Sequence, residues 1–439
     1  MKKTANWALL ASKEYEYGEL LIQHQKEKDQ NALIVGIGKE KLSVSRLRKV
    51  IHKSINFLKS QNVKITETNF STETEIEEQI VLLALLEANY SFNKYRKSSV
   101  KEIDFSPLLK NSKNKELQIL LESIQLTKDL VNEPPNLMTP EILAKFCKNL
   151  TSEIPNLKVK ILNESQIHKI GMGAFLSVAQ ASDNRPYLIE FNYNPQRKSK
   201  KRIGLIGKGL TYDTGGLSLK PNNYMYGMKS DMAGAATVIG IINAAAKLRL
   251  QVPLTGLILA CENSFSERSF KPGDVIKALS GKTIEVVDTD AEGRLTLADA
   301  LTYLSKREEI DTIIDYATLT GSCVYTLGIV ASGGFTNDAE TIEKFKEASE
   351  LTGENVWELP IFEEYRSNLD SSIADILQCD GRPDASMAAI FLKEFLVNEK
   401  KWLHLDIAGT AYLDEDDGFH KAGATGRGVW STIEFLKAL

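Results

Sequence analysis

The sequence predicts an α/β protein of two domains, a small N-terminal α/β domain and a larger C-terminal domain whose mixed, largely parallel sheet is flanked by helices. Two observations carry this. At 439 residues the chain exceeds one average domain. From about residue 136 onward, short apolar runs alternate with helix-like segments, the pattern of strands covered on both faces. A third observation concerns where charge gathers. It collects at the ends of those runs, where open α/β sheets bind their ligands.

Composition narrows the class. With 43% apolar and 26% charged residues, the chain is globular in make-up, not disordered. A formal charge of −4 gives no electrostatic reason to expect nucleic acid or an acidic membrane surface. The opening stretch MKKTANWALLASKEYEYGELLIQ sets two lysines before an apolar run. WALLA is too short for a secretory leader, however, and acidic residues come directly after it. No window reaches the roughly 18 uninterrupted apolar residues of a membrane span. A cytoplasmic protein with no membrane partner is expected. Cys147, Cys261, Cys323 and Cys379 stand far apart with no CxxC pair, which suits reduced thiols and not a disulfide framework or zinc knuckle.

Taken in order, residues 1–115 hold a strand candidate, ALIVGIG (32–38), and a helical pattern, SVSRLRKVIHKSINFLKS (43–60). They form the N-terminal α/β domain and carry no concentrated chemistry. Residues 116–135 read as a connecting helix that ends at Pro134 and Pro135. Residues 136–439 form the C-terminal domain. Its strand candidates are KVKIL, YLIEFNY, RIGLIG, PLTGLILA, TIEVV, TIIDYA and WLHLDI.

Three motifs in that domain carry the chemistry. LIGKGLTYDTGGLSLK (205–220) sets Lys208 and Asp213 after a strand candidate, with Gly215-Gly216 for a tight bend and Lys220 at its close. It lacks the GxxxxGK[ST] order of a phosphate loop, and alone it is an ordinary glycine-rich surface loop. MKSDMAGAATVIGIINAAAKL (228–248) puts Asp231 at the head of an Ala- and Gly-rich helix, where capping explains a carboxylate readily. VVDTDAEGRL (286–295) is harder to explain that way. A helix cap accounts for one or two carboxylates, not for Asp288, Asp290 and Glu292 with Arg294 beside them. Together the motifs offer Asp213, Asp231, Asp290, Glu292 and two lysines at predicted strand ends. Such oxygen-rich sets suit a pair of divalent cations. The five histidines form no HExxH or similar pair, and His404 in WLHLDIAG reads as a hydrogen-bonded core residue.

These residues resemble the M17 leucyl aminopeptidase family, the cytosol aminopeptidases. The family octapeptide NTDAEGRL is matched by DTDAEGRL (288–295), and its metal loop by GKGLTYDTGGLSLK and MKSDMAGAA. The likeness runs on through LVNEPPNLMTP, KPGDVIKALSGKTIEV, ATLTGSCVYTLG, WELPIFEEY, AAIFLKEF, WLHLDIAGTAY and GATGRGV, over roughly residues 124–437. It implies that the C-terminal domain is catalytic and carries two metal ions, zinc or manganese, with magnesium and cobalt also compatible. Lys208, Asp213, Asp231 and Glu292 would hold the tighter ion. Asp213, Asp290 and Glu292 would hold the more exchangeable one. The resemblance makes Lys220 the oxyanion stabiliser and has Arg294 hold a bicarbonate that acts as general base. It implies a substrate pocket of Met228, Thr318, Gly321, Ala408 and Ala411. Ala411 is small where some members carry Met, so Leu and Met are expected at the substrate's N-terminus, with room for Phe. Short peptides with a free N-terminus and a homohexamer complete the implied partners.

The chain departs from the pattern at two places. Position 288 is Asp where the family usually has Asn, an added charge with consequences for metal affinity, substrate preference or pH optimum. In CDGRPDASMAAIFL (379–392) the family's Gly-rich stretch is altered, so the 382–387 loop near Arg382 is expected to differ in shape. A two-metal phosphoesterase and a non-enzymatic, nucleic-acid-binding hexamer are the competing readings. The missing histidine ligands and the long match weigh against the first, the near-neutral charge and intact ligand set against the second.

Overall fold

The computed structural model describes residues 5–12, 14, 16–25, 30–37, 44–59, 63–69, 75–97, 103, 105, 115–152, 154–195, 202–379, 381–417 and 420–439. Residues 38, 43 and 60, the outer ends of two expected N-terminal segments, lie outside them. The chain divides into two compact units, Met1–Gln125 with Glu415–Ala422, and Leu126–Asp414 with Gly423–Leu439.

The first unit is built on strands β1 (Ala5–Ser12), β2 (Leu20–Gln25), β3 (Gln30–Gly36) and β4 (Val63–Asn69), with helices α1 (Val44–Lys59) and α2 (Glu75–Asn89). Strand order is β2-β3-β1-β4. WALLA lies within β1, and ALIVG within β3. Helix α3 (Lys115–Asn132) carries the chain from one unit into the next and stops two residues short of Pro134.

The second unit begins with α4 (Pro140–Ser152), β5 (Leu157–Asn163), α5 (Glu164–Ile170), α6 (Gly173–Ala179), β6 (Tyr187–Tyr193) and β7 (Arg202–Asp213). Then come α7 (Asn222–Met225), α8 (Ala233–Leu248), β8 (Leu254–Asn263), β9 (Val275–Lys277), β10 (Thr283–Glu285) and α9 (Glu292–Ser305). Next are β11 (Ile310–Ala317), α10 (Gly321–Leu327), β12 (Ser332–Thr336), α11 (Ala339–Thr352), β13 (Val356–Glu358) and β14 (Ile376–Leu377). Last are α12 (Asp384–Lys393), β15 (Lys401–Asp406), β16 (Tyr412–Leu413), β17 (Gly423–Ala424) and α13 (Val429–Lys437).

Eight of these strands form one sheet, in the order β13-β12-β15-β11-β7-β8-β6-β5. Its centre, β15-β11-β7-β8, is parallel, while β12 and β6 join it antiparallel. The mixed, largely parallel sheet expected from the sequence is therefore present. β8 is buried at all ten positions, as a strand covered on both faces must be. Two glycines of β7 show what covers it. A side chain at Gly204 would meet Leu304 of α9, whereas one at Gly207 would run into the backbone of α8. Three residues apart in a strand, they point to opposite faces. Helix α8 comes especially close, because a Cβ on its Gly234 would lie 2.0 Å from the Tyr316 carbonyl oxygen of β11. That is why its sequence is so rich in Ala and Gly. The Met228–Leu248 stretch is apolar and long enough to cross a membrane by composition, but 89% of its most apolar 18 residues are buried inside the fold, as in a core helix.

One expected strand belongs elsewhere. TIEVV supplies β10, which pairs with β9 and β14 in a separate three-stranded sheet. The acidic motif therefore comes after a small accessory sheet and not after a strand of the main one. Helix α9 is locked beneath by the buried Asp299, whose carboxylate accepts the Phe175 and Leu279 N–H groups at 2.9 and 2.7 Å. Replacing Asp299 by Ala orphans both donors, and a loss of about 2–5 kcal/mol is expected in denaturant unfolding at pH 6. Burial raises this carboxyl to about 7. Its folded value lies above its unfolded one, so the contribution is complete below the usual carboxylate range and fades as pH rises through 7. The stability gap between wild type and variant should narrow as pH rises from about 4 to 7 and level off above that.

Candidate metal centre

Strand β7 supplies two of the expected ligands itself. Lys208 lies inside the strand and Asp213 ends it, so the strand outlasts RIGLIG and neither residue lies beyond it as expected. Five residues apart, they would face opposite sides of a regular strand. A register irregularity against β8 falls between Leu210 and Tyr212. The extra residue of such a bulge re-aims the side chains beyond it, and both Lys208 and Asp213 reach the same carboxylate cluster.

Asp213 is paired in register with Asn263 at the end of β8. Its Oδ1 accepts the Asn263 amide and the Gly215 N–H, each at 2.8 Å. The positive φ of Gly215 and Gly216, 84° and 66°, turns the chain back toward Lys220. Lys220 Nζ lies 2.8 Å from Asp213 Oδ2 and 2.5 Å from Asp290 Oδ1.

Asp231 is neither at a strand end nor a helix cap, the two places the sequence suggested. It sits in a 3-10 turn, Met228–Met232, ahead of α8, which has no side-chain cap. Its Oδ1 meets Lys208 Nζ at 2.9 Å and accepts the Thr318 hydroxyl at 2.7 Å. Glu292 opens α9 and is 1% exposed, with Oε1 3.0 Å from Lys208 Nζ. Gly293 has a specific reason here. A Cβ at that position would lie 2.6 Å from Lys208 Nζ, so the glycine between Glu292 and Arg294 lets the lysine through.

Asp213, Asp231 and Glu292 each offer an oxygen, all within 4.8 Å of one another and all buried. Burial, with the charge of Asp213 behind it, raises Glu292 to about 8. Burial raises Asp231 to about 6 against the pull of Lys208, and burial with Asp213 raises Asp290 to about 6. Burial pulls Lys208 and Lys220 down, but the surrounding carboxylates outweigh it and hold both amines above the ordinary lysine range. The set is acidic even with two ammonium groups in it. Asp231 Oδ2 and Glu292 Oε2 are buried without a hydrogen-bond partner among the described residues. Unpaired oxygens among crowded like charges fit a divalent cation, which relieves the repulsion and takes the free lone pairs.

The acidic loop is held from behind. Gln378 Oε1 accepts the N–H groups of Val287 and Asp288, and its amide donates to the Ala291 carbonyl. Thr289 donates to the Gly215 carbonyl at 2.6 Å and accepts the Ser218 N–H at 2.8 Å. Asp288 accepts the Asp290 N–H at 2.9 Å, a bond that an Asn at 288 could also make. Asn263 and Gln378 were missed in the sequence because strand pairing, not local pattern, brings them here.

Arg294, 4% exposed, lies in the first turn of α9. Nη2 reaches Asp384 Oδ1 at 3.3 Å and Nη1 the Gln378 carbonyl at 3.4 Å. Asp384, the first residue of α12, also accepts the Ser322 hydroxyl at 3.0 Å. It lies in the loop that the sequence marked as altered, without a role being assigned to it. Of the expected pocket residues, Met228 starts the 3-10 turn of Asp231, and Thr318 bonds Asp231. Gly321 starts α10 after β11, while Ala408 and Ala411 come after the neighbouring parallel strand β15.

A buried carboxylate cluster with two lysines, built from β7, the 3-10 turn ahead of α8 and the start of α9, has the donor set of a divalent-metal enzyme site. The model of the cytosol aminopeptidase family's catalytic domain matches residues 125–433. A probable cytosol aminopeptidase of Clostridium tetani is 40% identical over 98% of this chain and 92% of its own. That of Fusobacterium nucleatum is 41% identical over 94% and 86%. The bottromycin maturation enzyme BotP, solved in complex with Mn, superposes with a TM-score of 0.90 at 27% identity, covering 99% of both chains. The chain belongs to the cytosol aminopeptidase family and is an aminopeptidase that works with divalent metal.

Proposed function

We propose that this enzyme releases Leu, Met and similar residues from the N-termini of short cytoplasmic peptides, using two divalent cations, zinc or manganese. One observation carries the reading: three mutually close buried carboxylates, two of them with an unpaired oxygen. Lys208, Asp213, Asp231 and Glu292 would hold one ion, and Asp213, Asp290 and Glu292 the other. When bound, such ions polarise the scissile carbonyl and make water a stronger acid. Lys208 can serve as a ligand only as the neutral amine, so loading must release its proton. Lys220 stays an ammonium group and donates to the oxygen on which negative charge develops. A free α-amine suits this acidic site, which explains a preference for N-termini. Met228, Thr318, Gly321, Ala408 and Ala411 would receive the first side chain, with the small Ala411 leaving room for Leu or Met. By family likeness the working assembly is a homohexamer. The bicarbonate expected on Arg294 finds its guanidinium already facing a carboxylate, that of Asp384.

The test is a panel of N-terminal aminoacyl reporters, with a chelator arm, manganese or zinc add-back, and Asp290→Asn as control. Metal-dependent release that favours Leu or Met and is lost in the variant is the expected result. No release from any reporter by metal-loaded, folded protein would overturn the reading.

A further inference from the structure

The surroundings of Arg294 do not fit a second anion. Nη2 is engaged by Asp384 and Nη1 by the Gln378 carbonyl, while the buried Nε–H has no partner among the described residues. A planar anion is best gripped by two parallel N–H groups, and here Asp384 lies across one of them. Bicarbonate beside it would put two negative charges on one cation.

We propose that Asp384 is itself the proton-carrying carboxylate of the reaction, built into the chain where the resemblance would have Arg294 take bicarbonate from solution. The inference rests on the aminopeptidase reading. Three features suit Asp384 to the role. Arg294, which holds it, lies in the same first turn of α9 as Glu292. The other oxygen is fixed by Ser322, in the first turn of α10 next to Gly321 of the proposed pocket. Asp384 is 39% exposed although Arg294 is buried, so one face is open to water and substrate.

The step balances within the chain. A water O–H bond breaks as the oxygen bonds to the scissile carbonyl carbon, and its proton goes to an Asp384 oxygen. The resulting carboxylic acid returns that proton to the scissile nitrogen as the C–N bond breaks. The free amino acid and the shortened peptide leave, and Asp384 is a carboxylate again. Arg294 is then a positioning residue that holds this carboxylate in place.

The test uses the full-length, metal-loaded protein in CO2-depleted buffer, with and without added bicarbonate, and measures both aminoacyl-reporter hydrolysis and 13C-bicarbonate binding by NMR. Wild type should bind no labelled bicarbonate, and its rate should be unchanged by it. Asp384→Ala should lose at least ~10²-fold in kcat, bind 13C-bicarbonate, and recover much of the rate with bicarbonate or formate. Asp384→Asn keeps the side chain's bulk and its contact with Ser322. It should be as slow but resist rescue, which separates lost chemistry from lost folding. Bicarbonate binding to wild type with a several-fold rise in its rate, or full activity in both variants, would overturn the proposal. If no protein hydrolyses any reporter, the aminopeptidase reading fails and this catalytic role fails with it, whereas the binding arm still shows whether Asp384 occupies the anion's place.

Discussion

Glu292→Gln is expected to lower kcat/KM by roughly 10³-fold or more, beyond the 10–100-fold typical of an outer partner of a metal ligand. Metal retained after dialysis should fall with it, as measured by atomic absorption. Glu292 stands where the proposed ions meet: it shares the buried cluster with Asp213 and Asp231, and its second oxygen has no partner among the described residues. Glutamine keeps the volume and an acceptor for Lys208 but removes the charge that a cation needs. The fold should survive, because a neutral group at a fully buried position relieves repulsion. Thermal unfolding without metal should therefore occur at or above the wild-type temperature. Wild-type metal retention should decline as pH falls through about 8 and then about 6, where protons compete for Glu292 and for Asp231 and Asp290. The variant should have lost the upper step. Full retention of metal with activity within tenfold of wild type would remove Glu292 from the metal centre.

How much of this was readable from the chain depends on the range of the interaction. The strands YLIEFNY and PLTGLILA were legible because strands buried on both faces must be continuously apolar. The Ala- and Gly-rich stretch announced a close-packed helix, and Gly234 shows how close. Asp213, Asp231 and Glu292, which the fold brings together, stood out in the sequence because no local role used up so many carboxylates. The illegible part depends on contacts distant in sequence. Nothing local says that a bulge after Leu210 turns Lys208 and Asp213 to one side. Nor does anything local say that TIEVV pairs with β9 and β14 instead of the main sheet. Asn263 lies 50 residues from Asp213, Gln378 90 from Asp288 and Asp384 90 from Arg294, the groups they bond. Each looks like an ordinary polar residue until the chain folds. The first unit carried no readable chemistry, and the described residues there form a small sheet with two helices and part of α3.

Lys220→Met should lower kcat by about 10²–10³-fold while KM changes little, the signature of a group that acts on charge present only in the transition state. The competing role for Lys220 is visible in its contacts, since it neutralises Asp213 and Asp290 at 2.8 and 2.5 Å. A cation bound to those two carboxylates would compete for the same oxygens, which frees the ammonium group to turn toward substrate. The two roles therefore predict opposite responses to metal. If Lys220 served only to balance charge, its removal would tighten metal binding and leave kcat at saturating metal intact. If it stabilises the oxyanion, the deficit persists however much metal is added. Titrating manganese against the initial rate of the variant, with metal content measured in parallel, decides between them. Lys220→Arg should recover only part of the loss, because a guanidinium keeps the charge but spreads it over a planar fork in place of a compact ammonium.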